Sequence, residues 1–86
     1  MKNVRLDLAK SEKLKRERGV SFEEIMQAKL VGAVEHPGRG NQRLLLFEKN
    51  GYIWVVPYVK RGDEIFLKTL FPSRKYTKMC GRGELP

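Results

Sequence analysis

Of the residue types that most often carry metal or covalent chemistry, this chain has very few: one cysteine, Cys80, and one histidine, His36, in 86 residues. A lone cysteine excludes an internal disulfide framework, and one residue of each type is too few for a Cys/His zinc site. No metal or other cofactor is expected, and the cysteine usage fits the cytoplasm. Nowhere does an apolar run approach the ~20 residues of a membrane-spanning helix or the continuous apolar core of a signal peptide, so no membrane partner is expected. Acidic residues are scarce as well: 10 Asp+Glu stand against 18 Lys+Arg, a net charge of +8. In so small a chain that excess points to an anionic partner, with an ordinary solvated basic surface as the alternative.

The charge is unevenly placed. Residues 2–18 hold seven basic and three acidic residues, residues 60–78 hold six and two, and residues 19–50 hold four of each. If the two basic ends meet in the fold, they make one positive surface able to track a phosphate backbone.

What the chain has in abundance lies between residues 43 and 75, where apolar residues are dense enough to build a core. Residues 43–48, 52–59 and 64–71 read as strands rich in Leu, Ile, Val, Phe, Tyr and Trp. Asn50-Gly51 divides the first two, since both residues reach positive φ at low cost, and Gly62-Asp63 divides the second and third. Tyr52, Trp54, Val56 and Tyr58 share one face of the middle strand, and Ile53, Val55 and Val59 the other. A strand apolar on both faces belongs in the centre of a sheet. Pro57 has no N–H for a ladder bond, so a bend or bulge is expected there. On the third strand Lys68 falls between Phe66 and Leu70, an unusual place for a lysine unless that face opens to solvent or substrate, or unless the ammonium snorkels to the sheet edge.

The N-terminal half reads as a short edge strand, with Val4, Leu6 and Leu8 alternating against polar residues, followed by two helices. The first, residues 9–18, has Leu14 as its one firm apolar anchor and a possible Glu12–Arg16 pair. Gly19 suits the left-handed position past its end. Ser21 and Glu24 then make a capping box, with Val20 placed to staple against Ile25. In the second helix Phe22, Ile25, Met26 and Leu30 form one apolar stripe that faces the sheet. Residues 33–36 are a candidate strand, and residues 37–41 a loop rich in turn formers. His36, beside that loop, is either a solvated histidine or a general acid or base. The fold expected is α+β: two N-terminal helices on one face of a mostly antiparallel sheet of four to five strands, with the opposite face or its edge left for ligands. One domain is expected over residues 1–78, with a disordered tail over 79–86.

The order of these elements, the Gly19-Val20-Ser21-Phe22-Glu23-Glu24 joint, Asp7 twelve residues ahead of it, and Pro72-Ser73-Arg74-Lys75 after the last strand together resemble the BrnT family of toxins, relatives of the RelE-like ribonucleases. The similarity runs over residues 3 to about 78. It departs from the family pattern in two places: Arg18 stands where a histidine is common, and residues 76–86 stand where an acidic helix often follows the last strand.

What the resemblance implies is a RelE-like fold and the toxin component of a toxin–antitoxin system. Its activity would be metal-independent endoribonuclease cleavage of RNA, chiefly mRNA, on or off the ribosome, inhibiting translation. A cognate antitoxin protein would hold it in check. Attack of a ribose 2′-hydroxyl on the adjacent phosphate needs a proton acceptor, cationic donors for the phosphorane-like state and a proton donor for the leaving oxygen. The candidates for catalysis are Arg74 as a bidentate phosphate clamp, Lys68 and Lys75 as cations or a lysine base, and His36. Candidate RNA contacts are Lys15, Arg18, Arg61 and Lys78, with Tyr58 and Tyr76 to stack a base or donate a hydrogen bond. The rival reading is a non-catalytic basic module that binds nucleic acid or protein, favoured by the lack of paired histidines.

Overall fold

The computed structural model of the protein describes residues 4–35, 38, 40 and 42–83. Its elements run β1 (Val4–Arg5), α1 (Leu8–Arg18), α2 (Phe22–Met26), β2 (Lys29–Glu35), β3 (Gln42–Lys49), β4 (Tyr52–Arg61), β5 (Glu64–Leu67), β6 (Phe71–Pro72) and α3 (Arg74–Gly81). The strands form one mixed sheet in the order β1-β5-β4-β3-β2, with β6 also paired to β4. β1 lies parallel to β5 and the other pairs are antiparallel. This is an α+β architecture with three helices, and β4, apolar on both faces, is its central strand as its sequence requires.

The alternation along β4 divides the apolar residues into two layers. Val56 and Tyr58 join Leu45, Phe47 and Leu67 under Leu14, Val20, Phe22 and Ile25 of the N-terminal helical segment. Ile53 and Val55 join Leu44 and Leu46 on the opposite face, beneath Tyr76 and Cys80 of α3. The two faces are called here the α1 face and the α3 face. Their burial supplies most of the drive to fold, since fully burying a Leu, Ile, Val or Phe side chain stabilises by roughly 1.5–3 kcal/mol.

The α1–α2 joint forms as its residue types dictate. Gly19, at φ 78°, closes α1 by donating its N–H to the Lys15 carbonyl at 3.0 Å. The Ser21 hydroxyl accepts from the Glu24 N–H at 3.2 Å, and the Glu24 carboxylate accepts from the Ser21 N–H at 3.4 Å. Ser11 is a buried polar residue that the apolar pattern of α1 did not reveal. Its hydroxyl accepts from the Phe22 N–H at 3.1 Å and donates to the Glu23 carboxylate, which ties the two helices together. Glu12 and Arg16 do not pair; the ion pair of this region joins Lys15 to Glu24 at 2.6 Å.

Three expectations from sequence are corrected. α2 stops at Met26 instead of running to Leu30, because residues from Lys29 onward pair with β3, and Leu30 lies opposite Phe47, 50% exposed. Residues 79–81 complete α3 and do not begin a tail, and the half-buried Cys80 packs on the sheet. Residues 84–86 lie outside the described residues. Finally, β4 keeps an unbroken register with β3 through Pro57, which lies opposite Leu44. The irregularity is on the other side: Tyr58 pairs with Leu67 and Val55 with Phe71, so the edge chain advances four residues while β4 advances three. The extra residue falls within Lys68-Thr69-Leu70. Pro57 therefore faces a gap between β5 and β6 in which no partner asks for its missing N–H, while its carbonyl still accepts from the Lys68 N–H at 2.9 Å.

Candidate nucleic-acid interface

The bulge decides where several candidate residues go. A regular strand would have put Phe66, Lys68 and Leu70 on one face; with one residue inserted, Leu70 turns to the α1 face and is fully buried there with Leu67. Arg18 occupies the place this creates. Its guanidinium donates through one nitrogen to the Leu70 carbonyl and lies 3.4 Å from the Thr69 hydroxyl, so it braces the bulge while the residue stays exposed. Lys15 is likewise engaged, with Glu24 and with the Gly19 carbonyl at 3.3 Å. Tyr58 is buried in the α1-face core at 9% exposure and forms part of the wall of a cleft with Arg43 and Lys60. Tyr76 is half-buried under α3.

The α3 helix is docked by its own first turn. Ser73 donates its N–H to the Ile53 carbonyl at 2.9 Å, and its hydroxyl caps the helix by accepting from the Tyr76 N–H at 3.2 Å. The Thr77 hydroxyl donates to the Ser73 carbonyl at 2.6 Å and accepts from the Ile53 N–H at 2.9 Å, which satisfies the β4 edge beyond β6. Arg74 and Lys75 thus stand exposed in the first turn of α3, with no acidic residue beside them in that turn. Lys75 lies over the Tyr76 ring at 5.6 Å, and Lys78 is exposed one turn on.

Arg74 does not join Lys68. Ser73 is bonded at Ile53 and Lys68 at Pro57, four residues apart along β4, or about 13 Å at the rise of a strand. The structure therefore divides the expected catalytic cluster into two basic groups, one on α3 and one at the β1–β5 corner. His36 lies outside the described residues.

The corner is the more developed of the two. Arg5 is the parallel neighbour of Phe66, and Asp7 and Lys68 follow two residues beyond each, just past the ends of β1 and β5. Val4, Leu6, Ile65 and Leu67 belong to the α1-face core, so Arg5 and Phe66, the alternates within β1 and β5, face the other way. There they border a cleft of about 310 Å³ lined by Arg5, Leu6, Asp7, Phe66, Leu67 and Lys68. Phe66 is half-buried, and the Arg61 guanidinium lies 6.0 Å from its ring centre. Arg5 is held by Glu64 at 2.7 Å. The apolar cluster beneath α3 involves β2, β3 and β4 and none of β1 or β5, which leaves this corner of the α3 face uncovered. A half-open aromatic ring amid Arg5, Arg61 and Lys68 offers a base a stacking surface and its phosphates cationic donors.

Sequence reasoning found Lys68 and Arg61 here but missed Arg5, Asp7 and Phe66. The signal was present in the period-2 alternation of residues 4–7 and 64–68; what it lacked was the parallel β1–β5 pairing that brings the two segments together. Among the described residues, no group of three or more His, Cys, Asp or Glu side chains is placed to hold a metal ion, and no helix is long and apolar enough to cross a membrane. No known protein family, curated protein or solved structure matches the chain.

Proposed function

We propose that the protein is the toxin of a toxin–antitoxin pair, a RelE-like, metal-independent endoribonuclease that acts on mRNA in the cytoplasm and inhibits translation. The activity class comes from the resemblance carried by Gly19 to Glu24 and by Ser73-Arg74-Lys75. The observation that carries the location is the uncovered corner of the α3 face, where Arg5, Arg61 and Lys68 come together near the Phe66 ring. RNA enters there as a single strand, with a base on Phe66 and the Arg61 plane and a phosphate between Arg5 and Lys68. Arg74, Lys75 and Lys78 continue the positive surface along α3 and hold the neighbouring backbone. An antitoxin that neutralises this surface presents an acidic segment, which the excess of +8 favours, or inserts an apolar helix.

Binding of a short single-stranded RNA at several salt concentrations tests the location. Wild-type affinity falls steeply with salt, and replacing Arg61 or Lys68 by serine lowers the slope by roughly 0.7 each, the single-strand counterion term. Phe66→Leu weakens binding by about 1–3 kcal/mol with the slope unchanged, since stacking releases no ions. Unchanged affinity in all three variants would remove the corner from the interface.

A further inference from the structure

We infer that Asp7 and Lys68 are the proton acceptor and proton donor of the cleavage reaction, an inference that rests on the ribonuclease reading above. The two line the same cleft, Asp7 at the N-cap of α1 just past β1 and Lys68 just past the end of β5, and both are exposed to an entering phosphodiester. Asp7 is exposed, and one carboxylate oxygen, Oδ1, accepts from the Lys10 N–H at 3.2 Å as the N-cap of α1. Its other oxygen is not used by the cap. Lys68 is fixed at its backbone by the bond from its N–H to the Pro57 carbonyl, while its side chain is exposed. The cap and the bulge thus anchor the two chemically opposite groups on the lining of one cavity.

The chemistry balances with these two groups and no further reactant. The ribose 2′-oxygen bonds to phosphorus as its proton passes to the Asp7 carboxylate, and the bond from phosphorus to the 5′-oxygen breaks as that oxygen takes a proton from the Lys68 ammonium. The products are a 2′,3′-cyclic phosphate and a 5′-hydroxyl. Asp7 then releases its proton and Lys68 regains one by exchange with water, so the net proton count is zero. Arg5, held by Glu64, is placed on the same cleft to meet the negative charge that builds on the phosphoryl oxygens.

The test uses the capping chemistry as its control. Asparagine caps a helix about as well as aspartate, so Asp7→Asn keeps α1 capped while removing the proton acceptor. Its kcat is expected to fall by about 100-fold or more, the usual scale of general acid–base catalysis, with RNA affinity equal to or tighter than wild type. Lys68→Met is expected to lose kcat on the same scale. On a substrate whose bridging 5′-oxygen is replaced by sulfur, which leaves without a proton, Lys68→Met recovers to within about tenfold of wild type and Asp7→Asn does not. Wild-type cleavage that persists undiminished in Asp7→Asn would overturn the assignment of Asp7 alone, and failure of the sulfur substrate to rescue Lys68→Met would overturn that of Lys68. If the wild-type protein cleaves neither substrate, the ribonuclease reading falls and the pair with it.

Discussion

The guanidinium of Arg18, the last residue of α1, donates to the Leu70 carbonyl at the bulge between β5 and β6. This bond braces the place where the chain leaves the β4 ladder between β5 and β6, and it ties the first helix to the second half of the sequence. Arg18→Ala leaves that carbonyl without its charged donor and is expected to cost about 1.5–3 kcal/mol. Urea unfolding measures it as a lower midpoint at unchanged slope. A variant of wild-type stability would mean that Arg18 is free after all and available to a ligand.

Thr77 makes the corresponding tie for α3. Thr77→Val keeps the shape but removes the acceptor for the Ile53 N–H, and is expected to destabilise by about 1–3 kcal/mol, whereas Thr77→Ser retains the hydroxyl and most of the stability. Amide hydrogen exchange at Ile53 reports the difference directly, being faster in the valine variant and close to wild type in the serine one.

The Lys15 ammonium, through its hydrogen bond and charge, holds the Glu24 carboxyl below its ordinary value of 4.5, aided by Ser21 and opposed by desolvation. A carboxyl with a lowered value in the folded state binds protons less readily than in the unfolded chain. Its contribution to stability is therefore complete above pH 4.5 and fades as pH falls through the lowered value. Glu24→Gln is expected to flatten the acid limb of the stability–pH curve below that point, as read by thermal unfolding at a series of pH values. An acid limb identical to wild type would show that the pair does not form in solution.

Arg74 and Lys75 sit at the positive end of a helix dipole with no acidic residue in the first turn, an arrangement that works against stability. Arg74→Glu is expected to raise stability by roughly 0.3–1 kcal/mol while weakening RNA binding. Arg74→Ala is expected to weaken binding with little effect on the cleavage rate at saturating RNA, since Arg74 stands apart from the Lys68 cleft. A rate loss of 30-fold or more at saturation, roughly 2 kcal/mol, would restore Arg74 as the phosphate clamp.

Much of the fold could be read from local pattern. The two-faced apolar alternation of β4 marked the centre of the sheet, Asn50-Gly51 marked the β3–β4 turn, and Ser21 with Glu24 marked the start of α2. What could not be read depended on pairing between distant segments. Nothing within residues 27–30 distinguishes a second helical turn from the start of β2; the ladder with Phe47 and Glu48 decides it. Residues 79–86 look tail-like by composition, yet the helix of residues 74–81 runs into them because Tyr76 and Cys80 find apolar cover on Leu44, Leu46, Ile53 and Val55. The site followed the same rule. Lys68 was conspicuous in sequence, but Asp7 and Arg5, which line the same cleft, come from the opposite end of the chain, and its anchor on β4 lies four residues from that of the Arg74 helix.

Incubating the purified protein with single-stranded RNA in excess EDTA, and identifying the product ends by mass spectrometry, separates cleavage from binding alone. Cleavage that EDTA does not suppress is expected, leaving 2′,3′-cyclic phosphate and 5′-hydroxyl ends, with its loss in Lys68→Met on the all-oxygen substrate. RNA that stays intact with and without ribosomes, or products that carry 3′-hydroxyl and 5′-phosphate ends, would contradict it.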